Sequence, residues 1–241
     1  MITTKLDGGV AVITIARQEK RNALDLEHLE LLESAVAACL GTGTRAVVIT
    51  GSGSSFCAGA DLDSVYSHTF RTTLYSMLSL LTAAPVPVIA AVNGPAIGAG
   101  TQLAIACDLR VAAPEAVFAV PTARNGLAVD PWTIRRLALL AGGGTARALL
   151  LACETFDAER ALGRGLADRL GTIGDAVDLA HEIAICAPLS LTYSKRVLGE
   201  LELDDWSDAL HEEFGKCWNS SDFDEARRAR ADGRKPRFTG K

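Results

Sequence analysis

Several chemistries are closed to this chain by what it lacks. Its six cysteines, Cys39, Cys57, Cys107, Cys153, Cys186 and Cys217, stand singly among apolar residues. There is no CxxC pair and no spacing that suits a zinc site, so reduced, mostly buried thiols are expected. The four histidines, His28, His68, His181 and His211, form neither HxxxH nor HExxH. Three of them, His28, His181 and His211, sit beside glutamate in helical stretches, and all four read as solvated surface groups. Ser54 and Ser55 lack a GxSxG elbow, which leaves a hydrolase triad without support. Gly51-Ser52-Gly53 lacks the third glycine of GxGxxG, and no GxxxxGK[ST] occurs, so neither a dinucleotide nor a P-loop site is expected. An excess of positive charge is missing too. With 24 Lys and Arg against 29 Asp and Glu, the net charge of -5 argues against nucleic acid as a partner. No apolar run reaches the ~18 residues of a membrane span, so no integral membrane contact is expected. The start, Met1 to Asp7, lacks the charged and apolar regions of a signal peptide, and the expected location is the cytoplasm.

What is present is a globular composition. Of 241 residues, 49% are hydrophobic and 22% charged, enough for one main domain with a well-buried core. Ile2 to Leu6 and Val10 to Ile15 flank Asp7-Gly8-Gly9 and read as a hairpin. Leu29, Leu32, Val36 and Leu40 recur at helical spacing before Gly41, and a strand follows from Ala46 to Thr50. Tyr66, Phe70, Leu74, Met77, Leu78 and Leu81 make an apolar stripe that predicts an amphipathic helix ending before Pro85 and Pro87. Val88 to Val92 suits a strand buried on both faces. A small-residue helix from Ala99 to Cys107 and a strand from Leu109 to Ala112 complete an α/β pattern. Beyond about Gly174 the character is helix upon helix. Val177, Ile183 and Ile185 precede Pro188, Leu191 to Leu198 follow, and Trp206, Leu210, Phe214, Cys217 and Trp218 form a further stripe. The chain divides softly into 1–175 and a helical part at 176–241. No internal repeat or low-complexity tract is visible.

Two segments carry the chemistry. Phe56-Cys57-Ala58-Gly59-Ala60-Asp61-Leu62 and Asn93-Gly94-Pro95-Ala96-Ile97-Gly98-Ala99-Gly100 are both small-residue turns that leave a strand and enter a helical stretch. Small residues let a ligand approach the backbone, and a helix N-terminus offers free N–H groups and the positive end of its dipole. Brought together, two such turns would make an oxyanion hole. Taken singly, each is equally well a plain tight turn, since glycine is the default turn residue.

The pair of turns, their order, Arg21-Asn22-Ala23-Leu24, Cys107-Asp108 and the tail from Trp218 to Phe238 resemble the crotonase, or enoyl-CoA hydratase/isomerase, family along nearly the whole chain. The resemblance implies a crotonase-like ββα spiral with a C-terminal helical trimerisation segment, assembling as a homotrimer or a dimer of trimers. It implies an acyl-CoA thioester as ligand, with coenzyme A part of that ligand and no separate cofactor or metal. The thioester carbonyl would be held by the N–H groups of Ala60 and Ala99. Arg21, Ala58, Asp61, Leu62, Gly98, Thr122 and Trp132 would lie along the ligand, with the adenine against the backbone near Ala58 and Ala60. The phosphates would meet basic residues from the set Arg17, Lys20, Arg21, Arg234 and Lys235, each of which also reads as plain surface charge.

The sequence departs from the family's hydratases at their two glutamate positions, which hold Gln102 and Thr122. Hydration needs groups that take a proton from water and deliver one to carbon, and neither an amide nor a hydroxyl titrates usefully near neutral pH. Gln102 retains the capacity to orient a water. Asp130 stands where some isomerases and dehalogenases of the family carry a catalytic aspartate, but Asp130-Pro131 is also the pairing of an N-cap with proline at the first helical position. The stripe of Tyr66 to Leu81 reads as core or as pocket wall; as a wall it would favour longer acyl chains by at most ~0.8 kcal/mol per buried CH₂. The expectation is a fatty acyl-CoA binder or carrier in fatty acid or lipid metabolism, without the hydratase acid/base pair and with any partner enzymes unspecified. The alternatives are an isomerase or other enolate chemistry using Asp130, or a weak enoyl-CoA hydratase. A purely structural role would leave the two turns without a ligand.

Overall fold

The computed structural model describes residues 1–41, 43–200, 215 and 218–236. The expected stripe at Trp206, Leu210, Phe214 and Cys217, together with His211 and the last residues of the tail, lies outside them.

Nine strands are present among the described residues: β1 (Ile2–Asp7), β2 (Val10–Ile15), β3 (Ala46–Gly51), β4 (Val88–Val92), β5 (Pro95–Ile97), β6 (Leu109–Ala112), β7 (Val117–Ala119), β8 (Thr155–Asp157) and β9 (Arg169–Leu170). The main sheet runs β1-β2-β3-β4-β6-β9, and a smaller one runs β5-β7-β8. Apart from the antiparallel β1–β2 hairpin, the main sheet is parallel throughout. The helices are α1 (Leu26–Leu40), α2 (His68–Ala83), α3 (Ala99–Ala106), α4 (Pro131–Leu150), α5 (Ala158–Gly163), α6 (Ile173–Ala184), α7 (Pro188–Glu200) and a C-terminal helix, Ser221–Ala231.

The chain winds as a spiral. Each turn lays one strand in the main sheet, one short extended piece in a second layer, and one helix outside. β2, Leu24 and α1 make the first turn, β3, Cys57 to Ala60 and α2 the second, β4, β5 and α3 the third, and β6, β7 and α4 the fourth. The second layer is held by parallel bridges from Leu24 to Ala60 and from Cys57 to Ala96, then by β5 on β7. Both turns singled out in the sequence therefore sit in this layer, side by side.

Strands β3 and β4 are buried along their whole length, as a parallel sheet covered on both faces requires. Successive side chains of β3 point to opposite faces. Val47 and Ile49 join the large core under α1 to α3, whereas Ala46 and Val48 join a smaller one under α6. Through Ala176, Leu179 and Ala180, α6 closes that second face. The soft boundary near residue 175 thus falls in the first turn of α6, and this helix packs with the sheet. Periodicity alone cannot say what a helix packs against. Farther on, α7 is pinned to the body by Lys195, whose Nζ donates to Leu81 O at 2.9 Å, Val86 O at 3.0 Å and Asp108 Oδ2 at 2.7 Å.

One histidine differs from the sequence reading. His28 is buried on α1, with Nδ1 2.6 Å from Oδ1 of Asp25, the N-cap of that helix. Lying three residues after the cap, it is folded back onto it, while His68 is exposed as expected.

Candidate functional site

The first turn is fixed from both edges. Cys57 N–H donates to Pro95 O (3.0 Å) and Ile97 N–H to Cys57 O (3.0 Å), which zips this turn to β5. On the other edge, Leu24 N–H donates to Gly59 O (2.8 Å) and Asp61 N–H to Leu24 O (2.6 Å). Successive peptide groups of an extended strand face opposite ways, so the N–H of Ala60, between these two bonds, faces away from Leu24. Asp61 braces the turn from behind, its carboxylate 3.1 Å from Arg17, which also pairs with Asp25 at 3.0 Å.

The second turn ends at a helix mouth. Gly98 N–H donates to Ala119 O (2.8 Å), and α3 begins at Ala99, whose N–H is among the first-turn donors that have no acceptor within the helix. Thr101 Oγ1 ties the turn to Ala96 O at 2.6 Å and Ala119 O at 3.0 Å. The turns touch. A Cβ placed on Gly59 would lie 2.8 Å from Ile97 O and 3.9 Å from Ala99 N, and one placed on Gly100 would collide with the Cys57 carbonyl.

Ala58, Gly59 and Ala60 on one side and Gly98 and Ala99 on the other open onto a cavity of about 110 Å³. Phe70 and Leu74 of α2 line it, as do Leu127 and Val129, while Met77, Leu78 and Leu81 of the same stripe belong to the core. Its polar lining is Arg71, Tyr75, Gln102, Thr122 and Asn125. Among the described residues that line the cavity, none is Asp, Glu or His.

Gln102, one turn into α3, is committed by its amide. Nε2 donates to Asp130 Oδ2 (3.1 Å) and to Thr133 Oγ1 (2.8 Å). Asp130 is the N-cap of α4, with Pro131 at the first position, and its Oδ1 accepts from Thr133 N–H at 3.1 Å. It is buried behind Gln102 and does not line the cavity. Burial pushes its carboxyl above the usual range, while the bonds from Thr133 pull the other way. Burial also lifts the Tyr75 phenol, the field of Asp130 adds to this, and the group remains a protonated donor.

Of the residues expected along the ligand, Ala58, Ala60, Leu62, Gly98, Ala99, Gln102 and Thr122 meet at this cavity. Others lie elsewhere. Asp61 faces Arg17. Arg21 is exposed, in a left-handed conformation (φ 52°), and contributes its carbonyl to Ala58 N–H at 3.0 Å. Trp132 lines a separate groove with Thr192 and Lys195, because it follows the cap of α4 on the side facing α7. In the basic set, Arg17 and Arg234 are taken by carboxylates, Arg234 by Glu225 at 2.6 Å, whereas Lys20 and Lys235 are exposed. Composition could not have indicated Arg71, Asn125 or Trp218, which reach the cavity from distant stretches. The C-terminal helix folds over the loop before α2: Phe223 meets the Tyr66 ring edge-on at 5.3 Å, and Arg230 donates to Leu62 O at 3.1 Å.

The model of the enoyl-CoA hydratase/isomerase family matches residues 5–241. The chain belongs to that family. It is 46% identical over 233 residues to the probable enoyl-CoA hydratase echA6 of Mycobacterium tuberculosis, covering 96% of each chain. It is 32% identical over 251 residues to the probable mitochondrial enoyl-CoA hydratase 2 of Arabidopsis thaliana, covering 97% of this chain and 83% of that one. Among solved structures, an enoyl-CoA hydratase/isomerase from Pseudoalteromonas atlantica superposes with a TM-score of 0.87 at 29% identity over 99% of both chains. The spiral expected from the family resemblance is therefore the fold found.

Proposed function

We propose that this member of the enoyl-CoA hydratase/isomerase family binds an acyl-CoA thioester at the paired turns and does not hydrate it. One observation carries the reading: Ala60 and Ala99, whose backbone N–H groups the adjoining strand and helix leave without an acceptor, line one cavity whose described lining contains no carboxylate or imidazole. Preorganised amide donors polarise and hold a carbonyl oxygen. Moving protons between water and carbon takes titratable groups, and Gln102 and Thr122 stand where hydratases of the family use glutamates. Each missing acid or base costs about 10²- to 10⁴-fold in rate.

Under this reading coenzyme A is part of the ligand, no separate cofactor is needed, and the protein serves fatty acid or lipid metabolism in the cytoplasm as a binder or carrier. The reading includes assembly as a homotrimer or a dimer of trimers, and the apolar side chains that α7 exposes, Leu189, Tyr193 and Leu198, are a surface that contact with another chain would cover. The test pairs calorimetry of acyl-CoA binding with a crotonyl-CoA hydration assay. Binding is expected, with turnover about a thousandfold or more below an ordinary hydratase; turnover within about tenfold of one overturns the reading.

A second reading, enolate chemistry by Asp130, has one observation in its favour: the carboxyl is raised and lies one hydrogen bond behind Gln102. Exchange of the acyl α and γ protons, followed by NMR and abolished in Asp130→Asn, would establish it in place of the binder.

A further inference from the structure

Helix α2 places Arg71 four residues before Tyr75, which puts both on one helix face, and both line the cavity. Arg71 spends little of its hydrogen-bonding capacity inside the chain. One nitrogen donates to Tyr66 O at 3.2 Å, and the guanidinium lies over the Trp218 indole, 3.8 Å from the ring centroid. A guanidinium has five N–H donors in a planar fork. Among the described residues, no carboxylate lies within ion-pair distance of it.

Several other arginines of the chain have carboxylate partners. Arg17 has Asp25 and Asp61, Arg110 has Asp168, Arg160 has Glu154, and Arg234 has Glu225. Carboxylates on segments that adjoin the cavity have partners of their own: Asp130 has Thr133 and Gln102, Asp61 has Arg17, and Asp63 has Arg230. Burial works against the charge on Arg71. A half-buried cation without a counter-ion is costly unless something else supplies one.

We infer that the acyl group taken here ends in a carboxylate, received by the Arg71 fork while the thioester oxygen sits between Ala60 and Ala99. The ligand class is thus the coenzyme A thioester of a dicarboxylic acid. This rests on the acyl-CoA reading above and adds to it the chemistry of the far end of the chain. A charge-assisted, two-pronged bond from arginine to a carboxylate is both strong and geometrically selective. The phosphates of coenzyme A are an alternative anion for Arg71, but they are identical in every thioester, so the acyl end can be isolated by comparison.

The experiment measures dissociation constants by calorimetry for succinyl-, glutaryl-, adipoyl- and suberoyl-CoA, each against the monocarboxylic thioester of equal length: butyryl-, valeryl-, hexanoyl- and octanoyl-CoA. At least one dicarboxylic thioester is expected to bind about tenfold or more tightly than its partner. In Arg71→Met, which keeps an unbranched stem against Trp218, the ratio of the two dissociation constants should fall to about one, because only the dicarboxylic series loses a charge-assisted bond. Equal or weaker binding of every dicarboxylic thioester by the unaltered protein overturns the inference and leaves the acyl-CoA reading standing. Uniform weakening of both series in Arg71→Met assigns the arginine to the phosphates and also overturns it. Failure of all eight thioesters to bind the unaltered protein overturns both readings together.

Discussion

Gly59 and Gly98 hold equivalent places in the two turns, each with positive φ, 106° and 53°, and each directly before an alanine that lines the cavity. Their surroundings differ. Around Gly98 an added Cβ would meet nothing within 4 Å, whereas around Gly59 it would press on Ile97 O at 2.8 Å. At Gly98 the dihedral alone demands glycine; at Gly59 the dihedral and the neighbouring backbone both demand it. The first turn is wedged between Leu24 and β5; the second is tied to Ala119 through Gly98 N–H and Thr101 Oγ1, but leaves open space beside the Gly98 Cα. Similar turn geometry is thus enforced by packing and conformation together on one side and by conformation alone on the other.

Substitutions can break this contrast. Gly59→Ala should have the largest effect, since left-handed strain and backbone overlap act together, about 3 kcal/mol or more of lost stability. Chemical denaturation would show it, and calorimetry should show acyl-CoA binding lost with it. Gly98→Ala carries the strain alone, about 1–3 kcal/mol. A loss at Gly98 equal to or greater than that at Gly59 would remove the distinction.

Asp61→Asn probes the brace behind the first turn. Arg17 would keep Asp25 and lose its second partner, so a loss of about 1–2 kcal/mol is expected in denaturant midpoints, with acyl-CoA binding weakened by a few-fold. The smallest effect lies under the second turn, at Asp130. Because burial holds this carboxyl above its ordinary range, the native state binds more protons than the unfolded chain between the ordinary value and the raised one. Stability from this group therefore falls as pH rises through that window and is level above it. Asp130→Asn keeps a capping side chain and has no such slope. Denaturation midpoints from roughly pH 4 to neutrality should thus show the variant gaining on the unaltered protein as pH rises; a difference constant with pH would mean that the carboxyl is not raised.

Local patterns in the sequence were faithful where local forces decide. The β1–β2 hairpin forms about Asp7-Gly8-Gly9, β4 occupies the apolar run 88–92, and Asp130-Pro131 opens α4 as cap and first residue. The two turns were legible as places of close backbone approach, because glycine before a small residue at a strand's end is a backbone signal, and they do lie side by side at one cavity. What stayed hidden depends on partners distant in sequence. Helix α2 starts at His68, capped by Ser67, so Tyr66 lies outside the helix that its stripe suggested and turns to Phe223. Arg17 read as a free cation until folding brought Asp61 beside it. Arg71 had a faint local signature, a charge at the edge of an apolar helical stripe and four residues from Tyr75, but its meaning depends on Trp218 and on the cavity.

The join between Cys57 and Ile97 has a corollary. Main-chain pairing between neighbouring rungs, with Gly100 seated against the same carbonyl, sets how far apart the two amides stand, and no side chain at position 102 or 122 takes part in that pairing. On the binder reading proposed above, grip and conversion would be separate properties of the scaffold: side chains at positions 102 and 122 can change without touching the main-chain pairing that holds the two turns together.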